Sequence, residues 1–208
     1  MHTLIILGSP RLNGNSETLA QAVASGIRQH PDATLEFVRL NNLRISPCQG
    51  CGGCNKTSTC VINDDMTPLY EKVDNCDHLI IVSPIYFYGL SAQSKTFIDR
   101  FQARWARKYL AKIRFREGEQ RQGTLLATAA TDGKKVFDGA LLTTHILFDA
   151  LDLKCGGSLL AKGVDQFGAM HKQTQTLEQA VTLGQEIVTD WHRLKKTDGS
   201  IPAPTQPM

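Results

Sequence analysis

Five short strand-like runs, alternating with stretches of helical spacing, constrain this chain more than any other feature of its sequence. The runs are Thr3–Leu7, Thr34–Leu40, His78–Val82, Thr124–Ala130 and Cys155–Leu160. Thr3–Leu7 shows no polar alternation, as expected of a parallel strand buried on both faces. Ser16 is placed to cap a first helix carrying Leu19, Val23 and Ile27 at helical spacing. Asp64 or Asp65 is placed to cap a second helix over Met66–Asn75. A long amphipathic helix is read from Ser91 past Trp105, another over Ala140–Leu151, and a last one from Thr174 to about Lys195. Ser83-Pro84 is expected to break the third strand. Such alternation predicts a three-layer α/β domain with a parallel sheet.

A chain of 208 residues with 41% hydrophobic content has enough material for one such domain. We assign residues 1–197 to it, with a cysteine-rich loop at 46–62 inside it. The proline-rich residues 198–208 are read as a flexible tail. A formal charge of +3 is too small to imply nucleic acid or an anionic membrane as partner. The chain enters its first strand with no basic leader, and its apolar runs are too short for a membrane span. These features predict a soluble cytoplasmic protein.

In an open parallel sheet, ligands bind beyond the C-terminal ends of the strands. The loop after the first strand reads Gly8-Ser9-Pro10-Arg11-Leu12-Asn13-Gly14-Asn15-Ser16. Its side chains suit an anion, its glycines permit close backbone approach, and the next helix points its N-terminus at the site. A P-loop is excluded, because the Gly8 to Gly14 spacing is one residue too long and Asn15 stands where lysine is needed. The dinucleotide Gly-x-Gly-x-x-Gly pattern is absent too, and Asn41-Asn42 ends the second strand where a ribose-binding carboxylate would stand. A mononucleotide phosphate held by Ser9, Arg11, Asn15 and Ser16 fits best.

Gly8-Ser9-Pro10-Arg11 followed by Gly14-Asn15-Ser16 and Leu19 resembles the opening of the NADPH-dependent FMN reductase and iron–sulfur flavoprotein families. Ser83-Pro84-Ile85-Tyr86-Phe87-Tyr88-Gly89, then Lys95 and Phe97-Ile98-Asp99-Arg100, resembles their second signature. The resemblance is strong over roughly the first 100 residues. It implies a flavodoxin-like three-layer sandwich with a five-stranded parallel sheet in the order 2-1-3-4-5. It also implies FMN as cofactor, NAD(P)H as reductant, and a homodimer or homotetramer. The loop Pro84, Ile85, Tyr86, Phe87, Tyr88, Gly89 would then supply an apolar wall and backbone polar groups to the flavin ring, with at least one aromatic facing inward. Thr131 and Asp132, after the fourth strand, would touch the ring's pyrimidine side. Hydride transfer to flavin needs no protein acid, base or nucleophile, so no catalytic residue is named.

Four of the six cysteines, Cys48, Cys51, Cys54 and Cys60, lie within one short segment. Two-residue gaps relieved by Gly50, Gly52 and Gly53 let a chain wrap one cubane. In the iron–sulfur flavoproteins that this spacing resembles, such cysteines hold a 4Fe–4S cluster. A zinc site, a metal-free thiol loop and disulfides formed on oxidation compete with that reading. Cys76 and Cys155 are expected to be small core residues. Arg100, Arg104, Arg107, Lys108, Lys112, Arg114 and Arg116 are expected to form a solvated helix face that also meets another subunit. The six histidines show no metal-ligand spacing.

The enzyme reading is an FMN-dependent NAD(P)H oxidoreductase reducing a quinone, flavin or similar small acceptor. The alternatives are a carrier relaying electrons between a cluster and FMN for redox-protein partners, and a thiol-based redox sensor.

Overall fold

A computed structural model describes residues 1–198, without the side chains of residues 196–198. The strands are β1 (His2–Leu7), β2 (Thr34–Arg39), β3 (His78–Tyr86), the two-residue β4 (Gly89–Leu90), β5 (Gln122–Thr128) and β6 (Lys154–Ala161). The helices are α1 (Asn15–Ile27), α2 (Cys54–Thr57), α3 (Thr67–Asn75), α4 (Ala92–Asp99), α5 (Gln102–Tyr109), α6 (Asp138–Ala150) and α7 (Thr174–Asp198). The parallel sheet runs β2-β1-β3-β5-β6, with β4 folded back antiparallel on β3. Counting parallel strands alone, that is the order 2-1-3-4-5. This is the flavodoxin-like sandwich. Helix α7 reaches Asp198, and the rest of the expected tail lies outside the described residues.

The apolar runs are continuous because each face of the sheet is covered. Leu4, Ile6, Leu79, Ile81 and Leu125 point to one core, shared with α3, α4 and α6. Ile5, Leu7, Ile80, Val82 and Leu126 point to the other, shared with α1 and α7. Each such side chain contributes about 1.5–3 kcal/mol by leaving water. On the second face, α1 and α7 cross at two glycines, Gly26 and Gly184.

Three expectations need correction. Helix α1 begins at Asn15 with Gly14 as its cap, so Ser16 lies inside the first turn. Strand β3 runs on through Pro84. Side alternation aims the Pro84 nitrogen at β1, which has already ended at the Leu7–Val82 pair, so no ladder bond is lost there. The helix read from Ser91 past Trp105 is two helices. The Tyr70 hydroxyl donates to the Arg100 carbonyl (2.8 Å), and the Arg104 N–H bonds Phe101 O (2.8 Å) in its place. Among the described residues, no helix is long and apolar enough to cross a membrane.

Candidate functional site

The chain leaves β1 through Gly8, whose N–H donates to Val82 O (2.8 Å). A Cβ at Gly8 would stand 1.8 Å from Ser94 Oγ, so the backbone there passes closer to α4 than a side chain allows. Ser91, the N-cap of α4, donates from Oγ to Gly8 O (2.6 Å) and accepts the Ser94 N–H (3.2 Å). Ser83 Oγ in turn accepts the Ser91 N–H (3.0 Å). The start of the loop is thus pinned to β3 and α4.

At its far end, Gly14 enters α1 with no side chain among the described residues capping the helix, so the leading amides are open at the cavity. Ser9, Arg11, Gly14, Asn15 and Ser16 line a cavity of about 200 Å³ together with Pro84, Ile85, Tyr86, Thr128, Ala130, Val164 and Asp165. Seven of the expected residues meet here. Phe87, Tyr88, Gly89, Thr131 and Asp132 do not line it, and Thr131 and Asp132 are exposed. Sequence reasoning missed Val164 and Asp165, on the loop after β6. The rule that ligands gather at the C-terminal strand ends was the signal available for them.

Asn15 lines the cavity while its amide is fully engaged elsewhere. Its Nδ2 donates to Val164 O (3.1 Å) and Gln166 O (2.8 Å), and its Oδ1 accepts the Met170 N–H (3.1 Å). It ties the loop after β6 to the mouth of α1. Asn15→Asp sets a carboxylate oxygen against two carbonyls, and we expect a loss of about 2 kcal/mol in stability with weaker flavin retention. An unchanged melting temperature would show that this tie is unimportant.

The aromatic loop is a two-residue hairpin turn. Tyr86 pairs with Gly89, and Phe87 and Tyr88 both take positive φ (50° and 62°), the pattern of a type I′ turn. Bulky residues there cost about 1–2 kcal/mol each. Contrary to expectation, none of the three aromatics is buried. Phe87 is fully exposed, Tyr86 borders the cavity, and Tyr88 lies against Gly133 and Gly139.

The family model for the NADPH-dependent FMN reductases matches residues 1–136, which include both signature loops. The chain belongs to that family. Among its relatives, an iron–sulfur flavoprotein of Archaeoglobus fulgidus is 38% identical over 100 residues, 48% of this chain and 45% of that protein. A second from the same organism is 30% identical over 173 residues, 83% of each chain. The match to the first spans about half the length of that relative. In three dimensions the fold resembles the NAD(P)H:quinone oxidoreductase of Methanothermobacter marburgensis, with a TM-score of 0.64 at 16% identity over 90% of this chain and 96% of that one.

The cysteine-rich loop borders a separate cavity. Cys48, Cys51, Cys54 and Cys60 border one cavity of about 390 Å³, which Asp99, Arg100, Gln102 and Ala103 also line. Among the described residues, no group of three or more His, Cys, Asp or Glu side chains is arranged to hold a metal ion. Burial pushes the Cys54 thiol up, and the other three cysteines act on it electrostatically in the same direction. Burial likewise raises the Tyr70 hydroxyl, beside Cys60, to about 12.

The remaining expectations divide. Cys76 is buried, but Cys155 is exposed, with Sγ 3.3 Å from His145 Nε2, because β6 is an edge strand. Most of the basic stretch is not a solvated face, although Lys112 and Arg114 are exposed. Arg100 is buried against Asp64, Arg104 and Arg107 pair with Asp74, Lys108 and Arg114 with Asp152, and Arg116 with Asp77 and Glu119.

Proposed function

We propose that this chain is an FMN-dependent NAD(P)H oxidoreductase delivering electrons to a quinone, a flavin or a similar small acceptor. The observation that carries the reading is the uncapped N-terminus of α1 opening on a cavity walled by Ser9, Arg11 and Ser16. The residues fit a phosphate monoester. Gly14 is part of that cradle, since a Cβ there would stand 3.3 Å from Arg11 Cβ. Leading amides, a hydroxyl and a guanidinium would hold the phosphate, while Tyr86 and the hairpin turn would flank the ring. When bound, FMN supplies the two-electron chemistry, and the chain's part is to seat, orient and shield it. Protein purified anaerobically is expected to be yellow, to hold about one FMN per chain, and to oxidise NAD(P)H when a quinone is added. A colourless protein that takes up no added FMN would refute the assignment.

The four-cysteine cavity favours a second reading, in which the four thiolates would hold a 4Fe–4S cluster supplying one-electron chemistry beside FMN. A cavity of about 390 Å³ bordered by four soft donors suits a group larger than one ion, and both A. fulgidus relatives are iron–sulfur flavoproteins. Cys48, Cys51, Cys54 and Cys60 would be its ligands. The homo-oligomer that the resemblance implies has an apolar surface to use, where Trp105, Leu142 and Ile146 border a groove between α5 and α6.

A further inference from the structure

Arg100 is buried to within 1% of its surface, at the break between α4 and α5. Its Nη1 donates to Ser46 O (2.9 Å) and Asp64 Oδ2 (2.7 Å), and its Nη2 to Ile62 O (3.0 Å). Asp64 Oδ2 also accepts the Ser46 N–H (2.9 Å). Ser46 precedes the first cysteine of the loop and Ile62 follows the last, so one guanidinium and one carboxylate close its neck. The guanidinium also borders the cysteine cavity and acts on the Cys60 thiol, while its buried Nε–H has no partner among the described residues. A buried donor left unpaired is costly, and thiolate sulfur accepts such a donor.

We propose that Arg100 is a positioning residue for the cysteine site: it locks the loop's two ends together and places a fixed positive charge and a free N–H beside Cys60, making the group held there easier to reduce. This rests on the reading that the four thiolates hold a 4Fe–4S cluster. Four thiolates give such a site a net negative charge that grows with each added electron. A desolvated cation at its edge therefore favours the reduced form, and hydrogen bonds to the sulfurs act in the same direction. One electron enters from the flavin or an external one-electron donor, and no bond is made or broken in the protein.

The test uses holoprotein purified anaerobically, with iron, sulfide and FMN content and a potentiometric titration followed by visible and EPR spectra. Arg100→Gln is expected to bind less iron. In what remains, the reduced-to-oxidised ratio at a fixed potential should fall at least tenfold, a shift of about 59 mV for one electron. Arg100→Lys, which keeps the charge without the fork, should restore most of the potential but not all of the iron. Asp64→Asn, which removes the counter-charge, should shift the potential the opposite way; it also serves as the test if Arg100→Gln fails to fold. Full iron at an unaltered potential in Arg100→Gln, or no upward shift in Asp64→Asn, overturns the proposal alone. Wild-type protein lacking iron and sulfide while retaining FMN overturns the cluster reading, and this proposal with it.

Discussion

Replacing Gly184 by alanine is expected to lower the unfolding free energy by about 2–3 kcal/mol, although helix propensity alone predicts a gain of about 1 kcal/mol. The sign is decided by the crossing of α1 and α7. A Cβ at Gly184 would lie 2.1 Å from Val23 O and 2.9 Å from Ile27 N, both backbone atoms. A Cβ at Gly26 would lie 2.0 Å from Val181 O. Neither helix can relieve such an overlap by turning a side chain, so α7 has to move off the sheet and open the core around Leu19, Val23, Ile187 and Val188. Urea denaturation with an unchanged m-value is the measurement. Gly26→Ala should cost a similar amount, and the double variant less than the sum, because the first methyl already separates the helices. A gain in stability from either single change would mean that the helices meet elsewhere. The other end of α1 is the proposed phosphate seat, so FMN should also be held less tightly.

Acid is expected to remove about 3 kcal/mol of stability between pH 6.5 and pH 4 through one histidine. His78 opens β3 in the sheet interior with Nε2 2.9 Å from Thr124 Oγ1, and burial pushes its pKa down to about 4. The unfolded chain takes up this proton near pH 6.5, and the folded chain declines it until about pH 4. As pH falls through that window the unfolded state is favoured by about 1.4 kcal/mol per unit. Asp64 and Asp77 act in the same direction at lower pH. Burial alone would raise both, but Arg100 and the Ser46 amide hold Asp64 low, and the His2 amide and Arg116 hold Asp77 low. Comparing His78→Gln with wild type from pH 6.5 to 5 isolates the histidine. Parallel slopes for the two proteins would locate the acid sensitivity elsewhere.

The sheet was legible in the chain because doubly buried strands leave continuous apolar runs, and the grouping of Ser9, Arg11, Gly14 and Ser16 around one cavity because they are adjacent in sequence. What escaped reading depends on contacts across long separations. The break after Asp99 is made by the Tyr70 hydroxyl, 30 residues upstream of the carbonyl it captures. Asn15 looked like a phosphate donor because nothing local shows that its amide bonds Val164, Gln166 and Met170. Cys155 looked like a core residue because β6 has strand composition, whereas its place at the sheet edge is a property of topology. Arg100 read as one more surface cation in a basic run, and only its inward course reveals the clamp.

The hairpin after β3 has a consequence for how the site is lost. Two aromatic residues in left-handed geometry would drift to ordinary angles in a free peptide, so the turn keeps its shape only while Tyr86–Gly89 and Ile85–Leu90 remain paired on the finished sheet. No partly melted form can then hold Tyr86 at the cavity. With FMN seated as proposed, release of the yellow colour on heating should coincide with collapse of the whole domain, which makes flavin fluorescence a direct gauge of the native fraction.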